Sequence, residues 1–216
     1  MKIKKLHYET VSELLKSSLT TLMKLEVFQP FKLVGGTALS LQIGHRLSVD
    51  IDLFTDEPYG SIDFDKIEST LKQEFDYVDS LNIPIIGMGK SYFIGITPEE
   101  AIKLDIYYTE PFQFDPICID TIRMVSIKDI IAMKMDVIFQ NGRKKDFWDI
   151  HALLPYFTHE QFFEYYEKRN PYVSDKDKLK EKIIDFTFAE NDFNPICLKN
   201  KHWELIKYDI YTFFTP

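Results

Sequence analysis

The segment from Leu47 to Phe54 alternates between apolar and polar side chains, and it constrains the fold more than any other stretch. One face carries Leu47, Val49, Ile51 and Leu53, whereas Ser48, Asp50 and Asp52 occupy the other. Alternation of period two is typical of a β-strand with one buried face. We therefore predict a strand from which the carboxylates of Asp50 and Asp52 leave on the same side.

A short apolar run precedes this strand and ends in two glycines. Residues 31–34 predict a buried strand, Gly35 and Gly36 follow, and residues 37–43 predict a short helix. Glycines allow the backbone to approach a ligand closely, and the start of a helix directs free N–H groups towards it, which favours a phosphate. A Gly-Gly pair alone is more often a tight turn than a binding loop.

The rest of the chain divides into a mixed first part and a helical second part. Helical spacing predicts helices over residues 10–26, 64–75 and 126–139. Branched and aromatic residues predict strands over residues 83–86, 91–97, 101–108 and 117–125. Beyond residue 140 we predict helices separated by Thr158, Pro171 and Pro195. The pattern favours an α+β fold with a core over residues 1–125 and a helical region over residues 126–216.

A third carboxylate, Asp105, lies in another alternating stretch and can point from an adjacent strand towards Asp50 and Asp52. Carboxylates this close repel one another unless a cation lies between them or they face open solvent. Mg²⁺ prefers oxygen ligands and leaves room for substrate phosphates, and paired ions can activate a hydroxyl and stabilise pyrophosphate. A solvent-facing strand explains the same acids in a chain with 34 Asp and Glu residues.

Composition excludes several classes of protein. With 45% hydrophobic and 28% charged residues, the 216-residue chain is neither disordered nor collagen-like. A net charge of −8 argues against non-specific coating of nucleic acid, but it permits an enzyme that grips one end of an RNA. No apolar run has the length of a membrane span, and the two cysteines lack metal-ligand spacing. We therefore expect a cytoplasmic protein without a membrane partner.

The motifs together resemble a known family. Gly35-Gly36-Thr37, then Asp50-Ile51-Asp52, then Asp105 on a later strand resemble the DNA polymerase β-like nucleotidyltransferase superfamily. More narrowly, residues 35–54 and 130–154 are similar to the AbiEii/AbiGii-type nucleotidyltransferase toxins. The resemblance covers about residues 30–155. It implies a polymerase β-like α+β core with a mixed sheet, followed by a helical region that completes the active site.

The resemblance also implies a role for each matching residue. The implied nucleotide-binding residues are Gly35, Gly36, Thr37, Arg46, Ser48 and Lys134. The implied ligands of Mg²⁺ or Mn²⁺ are Asp50, Asp52 and Asp105, and Asp105 is also a candidate base. Lys134 and Asp146 complete the implied catalytic set, with Asp149 supporting Asp146 one helical turn on. His45 is expected to be a packed or solvent-facing residue.

The implied activity is metal-dependent transfer of a nucleoside monophosphate from an NTP to an acceptor hydroxyl. The implied acceptor is an RNA such as tRNA, and the implied setting is a toxin–antitoxin or abortive-infection system with a cognate antitoxin. Two alternatives remain open. One is a small-molecule nucleotidyltransferase of the antibiotic-modifying type, whose cationic substrates would suit the acidic chain. The other is a catalytically silent antitoxin-binding component, although a silent relative would not need to keep the full carboxylate and lysine set.

Overall fold

A seven-stranded mixed sheet organises the protein. The computed structural model describes residues 3–80, 88–172 and 176–215. The strands are β1 (Lys32–Leu33), β2 (Ile51–Thr55), β3 (Tyr77–Ser80), β4 (Gly89–Gly95), β5 (Ala101–Tyr108), β6 (Ile117–Ile119) and β7 (Ile122–Met124). Their order in the sheet is β3-β4-β5-β2-β1-β7-β6. The predicted α+β class and mixed sheet are confirmed.

Strands β2 and β5 pair with each other near the centre of the sheet. These two strands run parallel, with Asp52 of β2 in register with Asp105 of β5. β1 pairs antiparallel with β2 on the other side and parallel with β7. Both strands of the central pair alternate between buried and partly exposed residues. The two aspartates therefore leave the same face, opposite the buried apolar residues.

The described residues also form eight α-helices, five of which make up most of the second half of the described chain. The eight are α1 (Glu13–Lys24), α2 (Gly35–Ile43), α3 (Phe64–Glu74), α4 (Ile127–Phe139), α5 (Lys144–Leu153), α6 (His159–Arg169), α7 (Lys176–Ile183) and α8 (Trp203–Phe214). Side-chain caps start four of them: Ser12, Asp63, Ser126 and Thr158 each accept a hydrogen bond from a first-turn backbone N–H. The helix predicted after Ser126 and the boundary predicted at Thr158 are confirmed.

Helix α4 joins the two halves of the chain. It packs against α2 from the first half and against α5 and α6 from the second. Its buried apolar residues, including Ile130, Ile131 and Met135, belong to the same core as Leu39 of α2 and Leu53 of β2. This position lets one helix present a side chain to the sheet end where Asp52 and Asp105 lie. No helix among the described residues is long and apolar enough to cross a lipid bilayer.

Several boundaries differ from those that the sequence predicts. The strand predicted over residues 47–54 begins at Ile51, because the N–H groups of Leu47 and Ser48 bind the carbonyl oxygens of Ile196 and Thr10 rather than a strand partner. Val49, predicted to be buried, is 70% exposed. Helix α2 begins at Gly35 itself rather than after the glycine pair.

Two further differences lie at the sheet edges. The single strand predicted over residues 117–125 is a hairpin, because Asp120 and Thr121 turn the chain with positive φ angles. β3 was not predicted, and the strand predicted over residues 83–86 lies outside the described residues.

Candidate functional site

One pocket gathers the residues that the sequence singles out. It has a volume of about 280 Å³ and is formed by β2, β5, the start of α2, α4, α5 and the segment that precedes β2. We call it the carboxylate pocket. Its lining contains every predicted site residue except Thr37: Gly35, Gly36, Arg46, Ser48, Asp50, Asp52, Asp105, Lys134 and Asp146. The structure therefore places residues more than one hundred positions apart around a single space.

The two glycines permit this close assembly. Gly35 has a φ of +68°, and a Cβ built on it would lie 2.6 Å from Oδ2 of Asp52. A Cβ on Gly36 would lie 2.3 Å from Nη2 of Arg46. Any side chain at either position would displace a pocket residue. The first backbone N–H groups of a helix lack partners within the helix, and Val34, which precedes α2, offers no side-chain cap. This end of the pocket therefore suits an anion.

Three carboxylates occupy one side of the carboxylate pocket. Burial, together with the neighbouring charges of Asp105 and Asp50, raises the pKa of Asp52 to about 6. Asp105 is held on both oxygens, by Ser91 Oγ at 2.5 Å and by Lys103 Nζ at 2.5 Å. Negative charge at Asp52 is thus incompletely compensated by the protein, which is the electrostatic condition that a cation relieves.

Asp149 lies behind the opposite side and binds three basic side chains. Its Oδ1 accepts from Arg46 Nε at 2.6 Å and lies 2.7 Å from His45 Nε2, and its Oδ2 accepts from Arg46 Nη2 at 2.9 Å. Lys134 Nζ lies 2.7 Å from the same Oδ2 and 2.6 Å from Asp146 Oδ1. We call these five residues the Asp149 cluster. Pairing of this kind is what allows charges to be buried at all.

The charges of the Asp149 cluster reinforce one another. Burial by itself would raise the pKa of Asp149, but the Arg46 and Lys134 cations hold that pKa well below its usual range. Burial would likewise lower the pKa of Lys134, and the carboxylates of Asp149 and Asp146 raise it instead. Burial does lower the pKa of His45, so its imidazole is neutral at pH 7. Arg46 and Lys134 therefore stay charged at the pocket wall.

Thr37 and Ser48 hold the segment before β2 in place. Thr37 is buried behind the glycines and does not line the carboxylate pocket. Its hydroxyl donates to the carbonyl oxygen of Asp50, and its oxygen lies 2.8 Å from the Ser48 hydroxyl. The structure thus places Thr37 where it fixes the backbone of Asp50. A direct contact of Thr37 with phosphate stays a prediction.

The chemistry of these donors fits a substrate-dependent magnesium site. Among the described residues, no three His, Cys, Asp or Glu side chains already form a group that could hold a metal ion. Mg²⁺ commonly binds through one or two carboxylates together with substrate phosphates, rather than in an all-protein cage. The in-register pair Asp52 and Asp105, next to an anion-binding helix start, offers such a partial set.

Comparison with known proteins decides the family. The sequence matches the family described as nucleotidyl transferase AbiEii toxin, type IV toxin–antitoxin system, over residues 18–211. This chain belongs to the AbiEii family. An uncharacterized protein of Aquifex aeolicus (strain VF5) is 30% identical over 150 residues, which cover 64% of this chain and 65% of that protein. The aligned region thus spans less than two thirds of that relative's length.

Solved structures of low sequence identity share the AbiEii-family fold. A nucleotidyltransferase toxin of Mycobacterium tuberculosis H37Rv, MenT4, superposes with a TM-score of 0.63 at 13% identity and covers 94% of this chain and 82% of its own. A structure from Helicobacter pylori, described as a putative nucleotidyltransferase, superposes with a TM-score of 0.60 at 19% identity, over 94% and 90% of the two chains. The predicted family and nucleotidyltransferase fold are confirmed.

Some residues in and behind this AbiEii-family pocket were not predicted from the sequence. Lys103 lies two positions before Asp105 on β5 and therefore shares its face, a signal that period two contains. Lys145, whose Nζ lies 3.9 Å from Asp50 Oδ2, follows no such local pattern. Asp149 was expected to support Asp146, and both contact Lys134. The further contacts of Asp149 with His45 and Arg46 were not expected. Only the packing of α5 against α2 and α4 shows them.

Proposed function

We propose that the carboxylate pocket binds an NTP with Mg²⁺ or Mn²⁺ and transfers its nucleoside monophosphate to an acceptor hydroxyl. The observation that carries the proposal is the shared lining of one pocket by three carboxylates, an uncapped glycine helix start and two buried cations. Nucleotidyl transfer asks a protein mainly to position groups and neutralise charge, because the triphosphate carries its own leaving group. The pocket supplies both.

Each part of the pocket has a proposed role in the reaction. The acceptor oxygen bonds to the α-phosphorus, the bond from this phosphorus to the bridging oxygen breaks, and pyrophosphate leaves. Asp105 takes the hydroxyl proton. Gly35 and Gly36 hold phosphate through backbone N–H groups, and Arg46, Ser48 and Lys134 bind the departing phosphates. Asp50, Asp52 and Asp105 would hold the metal, which when bound lowers the charge repulsion between nucleophile and triphosphate.

We propose an RNA end, with tRNA first, as the acceptor, and a cognate antitoxin as the partner. Membership of a toxin family within a type IV toxin–antitoxin system supports the toxin setting. The MenT4 likeness supports the fold of a nucleotidyltransferase toxin. Cations at the pocket edge, such as Arg143 and Lys145, are available to an RNA backbone in an otherwise acidic chain.

An acceptor panel tests the proposal. The purified chain is incubated with each NTP labelled at the α-phosphate, with Mg²⁺ or EDTA, and with total tRNA, an aminoglycoside or no acceptor. We expect label on tRNA that EDTA abolishes. Label on the aminoglycoside alone would replace RNA with a small-molecule acceptor. Absence of transfer to any acceptor, with toxicity unchanged in Asp50→Ala, would contradict the enzymatic proposal.

A further inference from the structure

A second, larger pocket lies on the other side of the Asp149 cluster. It has a volume of about 770 Å³, against about 280 Å³ for the carboxylate pocket. Its walls come from the end of α2, one side of α5, the segment over residues 197–201 and α8. We call it the second pocket, and its lining includes His45, Trp148, His151, Lys199, Lys201 and Tyr208. Pockets of this size bind ligands of nucleotide or drug dimensions.

His45 lines the second pocket and has a hydrogen-bond acceptor that is unpaired within the described part of the chain. The side chain is 3% exposed, and its Nε2 lies 2.7 Å from Asp149 Oδ1. Because a carboxylate can only accept, Nε2 carries the proton of the neutral imidazole and Nδ1 carries a lone pair. Among the residues that the structure describes, nothing pairs with Nδ1. Buried polar atoms without partners are rare and costly, so this atom indicates a ligand with an N–H donor.

The walls of the second pocket are mainly apolar and partly aromatic. Trp148 is buried and stacks on Trp203 with ring centroids 6.1 Å apart, so its position is fixed. Tyr208 of α8 is 68% exposed at the mouth. Asp209, whose carboxylate also lines the pocket, accepts from His151 Nε2 at 2.8 Å. The pocket therefore suits a flat ring whose edge carries a donor.

Two lysines supply positive charge at the rim. Lys199 and Lys201 line the second pocket and are exposed. Their backbone N–H groups both donate to Sγ of Cys197 at 3.4 Å, which orders the segment that carries them. The same segment is tied to the residues that follow α2 through the hydrogen bond from Leu198 N–H to the His45 carbonyl oxygen at 2.9 Å. The lysines are thus held at the mouth of a pocket that is also lined by His45, whose Nδ1 has no hydrogen-bond donor among the described residues.

We propose that the second pocket binds a nucleoside monophosphate unit, with its base against His45 and Trp148 and its phosphate at Lys199 and Lys201. A nucleobase has a flat apolar face and N–H donors on its edge, and the attached phosphate matches the lysines. A hydrocarbon would leave His45 Nδ1 unpaired and the lysines unused. The unit comes from a free nucleotide or from single-stranded RNA, and the second source rests on the proposed function.

The second pocket is linked to the carboxylate pocket by one oxygen atom. His45 Nε2 and Arg46 Nε both bind Asp149 Oδ1, and Arg46 lines the carboxylate pocket. A base that donates to His45 Nδ1 makes Nε2–H a stronger donor to Asp149. Occupation of the second pocket therefore steadies the carboxylate that positions Arg46.

Binding measurements without NTP test the proposal. Calorimetry is run with AMP, with ribose 5-phosphate, with the monophosphate of purine riboside, which lacks the exocyclic amine, and with a five-nucleotide oligoadenylate. We expect AMP to bind, purine riboside monophosphate to bind about tenfold more weakly for one lost hydrogen bond, and ribose 5-phosphate more weakly still. Tighter binding of the oligoadenylate than of AMP identifies single-stranded RNA as the source, and the reverse order identifies the free nucleotide.

Two variants locate the binding. Ala152 lines the second pocket, so Ala152→Trp should fill it and weaken AMP binding at least about tenfold. Lys199→Ala/Lys201→Ala changes only exposed residues and should weaken it several-fold, whereas Lys24→Ala/Lys66→Ala removes two exposed lysines elsewhere and should leave it unchanged. Wild-type affinity in the Lys199→Ala/Lys201→Ala variant, or no binding of either adenine ligand by the wild type, would overturn the proposal. Loss of nucleotidyl transfer in a separate assay would not overturn it, because the calorimetry measures binding to the second pocket directly.

Discussion

At the scale of single residues, the Asp149 carboxylate positions the buried cations of the pocket wall. It is fully buried, and its two oxygens together contact His45, Arg46 and Lys134. A buried pair adds little net stability compared with apolar residues, but removal of one partner leaves the other charges uncompensated. The loss of Asp149 is therefore destabilising mainly because it would leave buried positive charge without a partner. Lys134 would retain Asp146, and Arg46 would lose its bidentate partner.

Asp149→Asn should strongly destabilise the fold. The amide keeps the shape of the carboxylate but removes the charge that faces Arg46 and Lys134, which costs about 3–5 kcal/mol in the free energy of unfolding. Chemical denaturation measures this. Asp79→Asn, at an exposed position of β3, is the matched control and should change stability by less than about 0.5 kcal/mol. Equal stability of the two variants would contradict the account of the Asp149 cluster.

His45 should make stability depend on pH. Its folded pKa lies below the ordinary value, with burial as the main cause, although the Asp149 carboxylate opposes the shift and the Arg46 and Lys134 cations add to it. Below about pH 6.5 the unfolded state therefore binds more protons, so stability falls as pH falls towards the folded pKa. The slope for one proton is at most about 1.4 kcal/mol per pH unit.

The comparison variant is His45→Gln, whose amide can still donate to Asp149. Its free energy of unfolding should fall less steeply below pH 6.5 than that of the wild type, because the titrating group is gone. His151, whose pKa burial also lowers, contributes equally to both proteins. Parallel pH profiles would show that His45 does not titrate differently in the folded and unfolded states.

At the scale of elements, local patterns predicted the parts of the site that period and capping determine. Alternation placed Asp52 and Asp105 on one face of neighbouring strands, and β2 and β5 bring them into register. The Ser126 cap located α4 and thereby Lys134. Alternation predicted a strand that includes Val49, but the strand does not extend there, because a strand continues only as far as a neighbouring strand pairs with it. The backbone there pairs with Thr10 and Ile196, whose proximity no local pattern contains.

The start of α2 gives a prediction with a matched glycine control. Gly35 and Gly60 both have positive φ, at +68° and +86°, but only Gly35 has a neighbour that an added Cβ would strike. Each Gly→Ala change lowers the free energy of unfolding by about 1–2 kcal/mol, because alanine is strained in the left-handed backbone conformation. Gly35→Ala should in addition displace Asp52 and reduce nucleotidyl transfer by at least about tenfold, whereas Gly60→Ala should leave transfer near wild type.

Transfer rates of the two variants are compared at saturating NTP, and circular dichroism verifies that both are folded. Equal transfer by both would mean that the close approach of Gly35 to Asp52 has no part in the reaction.

At the scale of the whole molecule, the carboxylate pocket belongs to neither half of the chain alone. Asp52 and Asp105 come from the part before residue 125, and Lys134 and Asp146 come from the part after it. The core is likewise shared, since α4 packs against α2 as well as α6. The boundary predicted near residue 125 stays a prediction about sequence organisation. The contacts favour a single cooperative unit.

Urea unfolding should therefore show one transition. Far-ultraviolet circular dichroism reports on both halves, and tryptophan fluorescence reports on the second half, because Trp148 and Trp203 both lie there. Coincident midpoints from the two probes are expected for two-state unfolding. A fluorescence midpoint clearly separated from that of circular dichroism would show that the helical half unfolds independently.

Nucleotidyl transfer is proposed to take place in the carboxylate pocket, and one measurement tests this most directly. Single-turnover transfer from labelled NTP to tRNA is compared in the wild type, Asp52→Asn, Asp105→Asn and Asp79→Asn. The first two variants should lose at least about a hundredfold in rate, since each removes a proposed metal ligand or base, and Asp79→Asn should match the wild type. Wild-type rates in Asp52→Asn and Asp105→Asn would contradict the central claim.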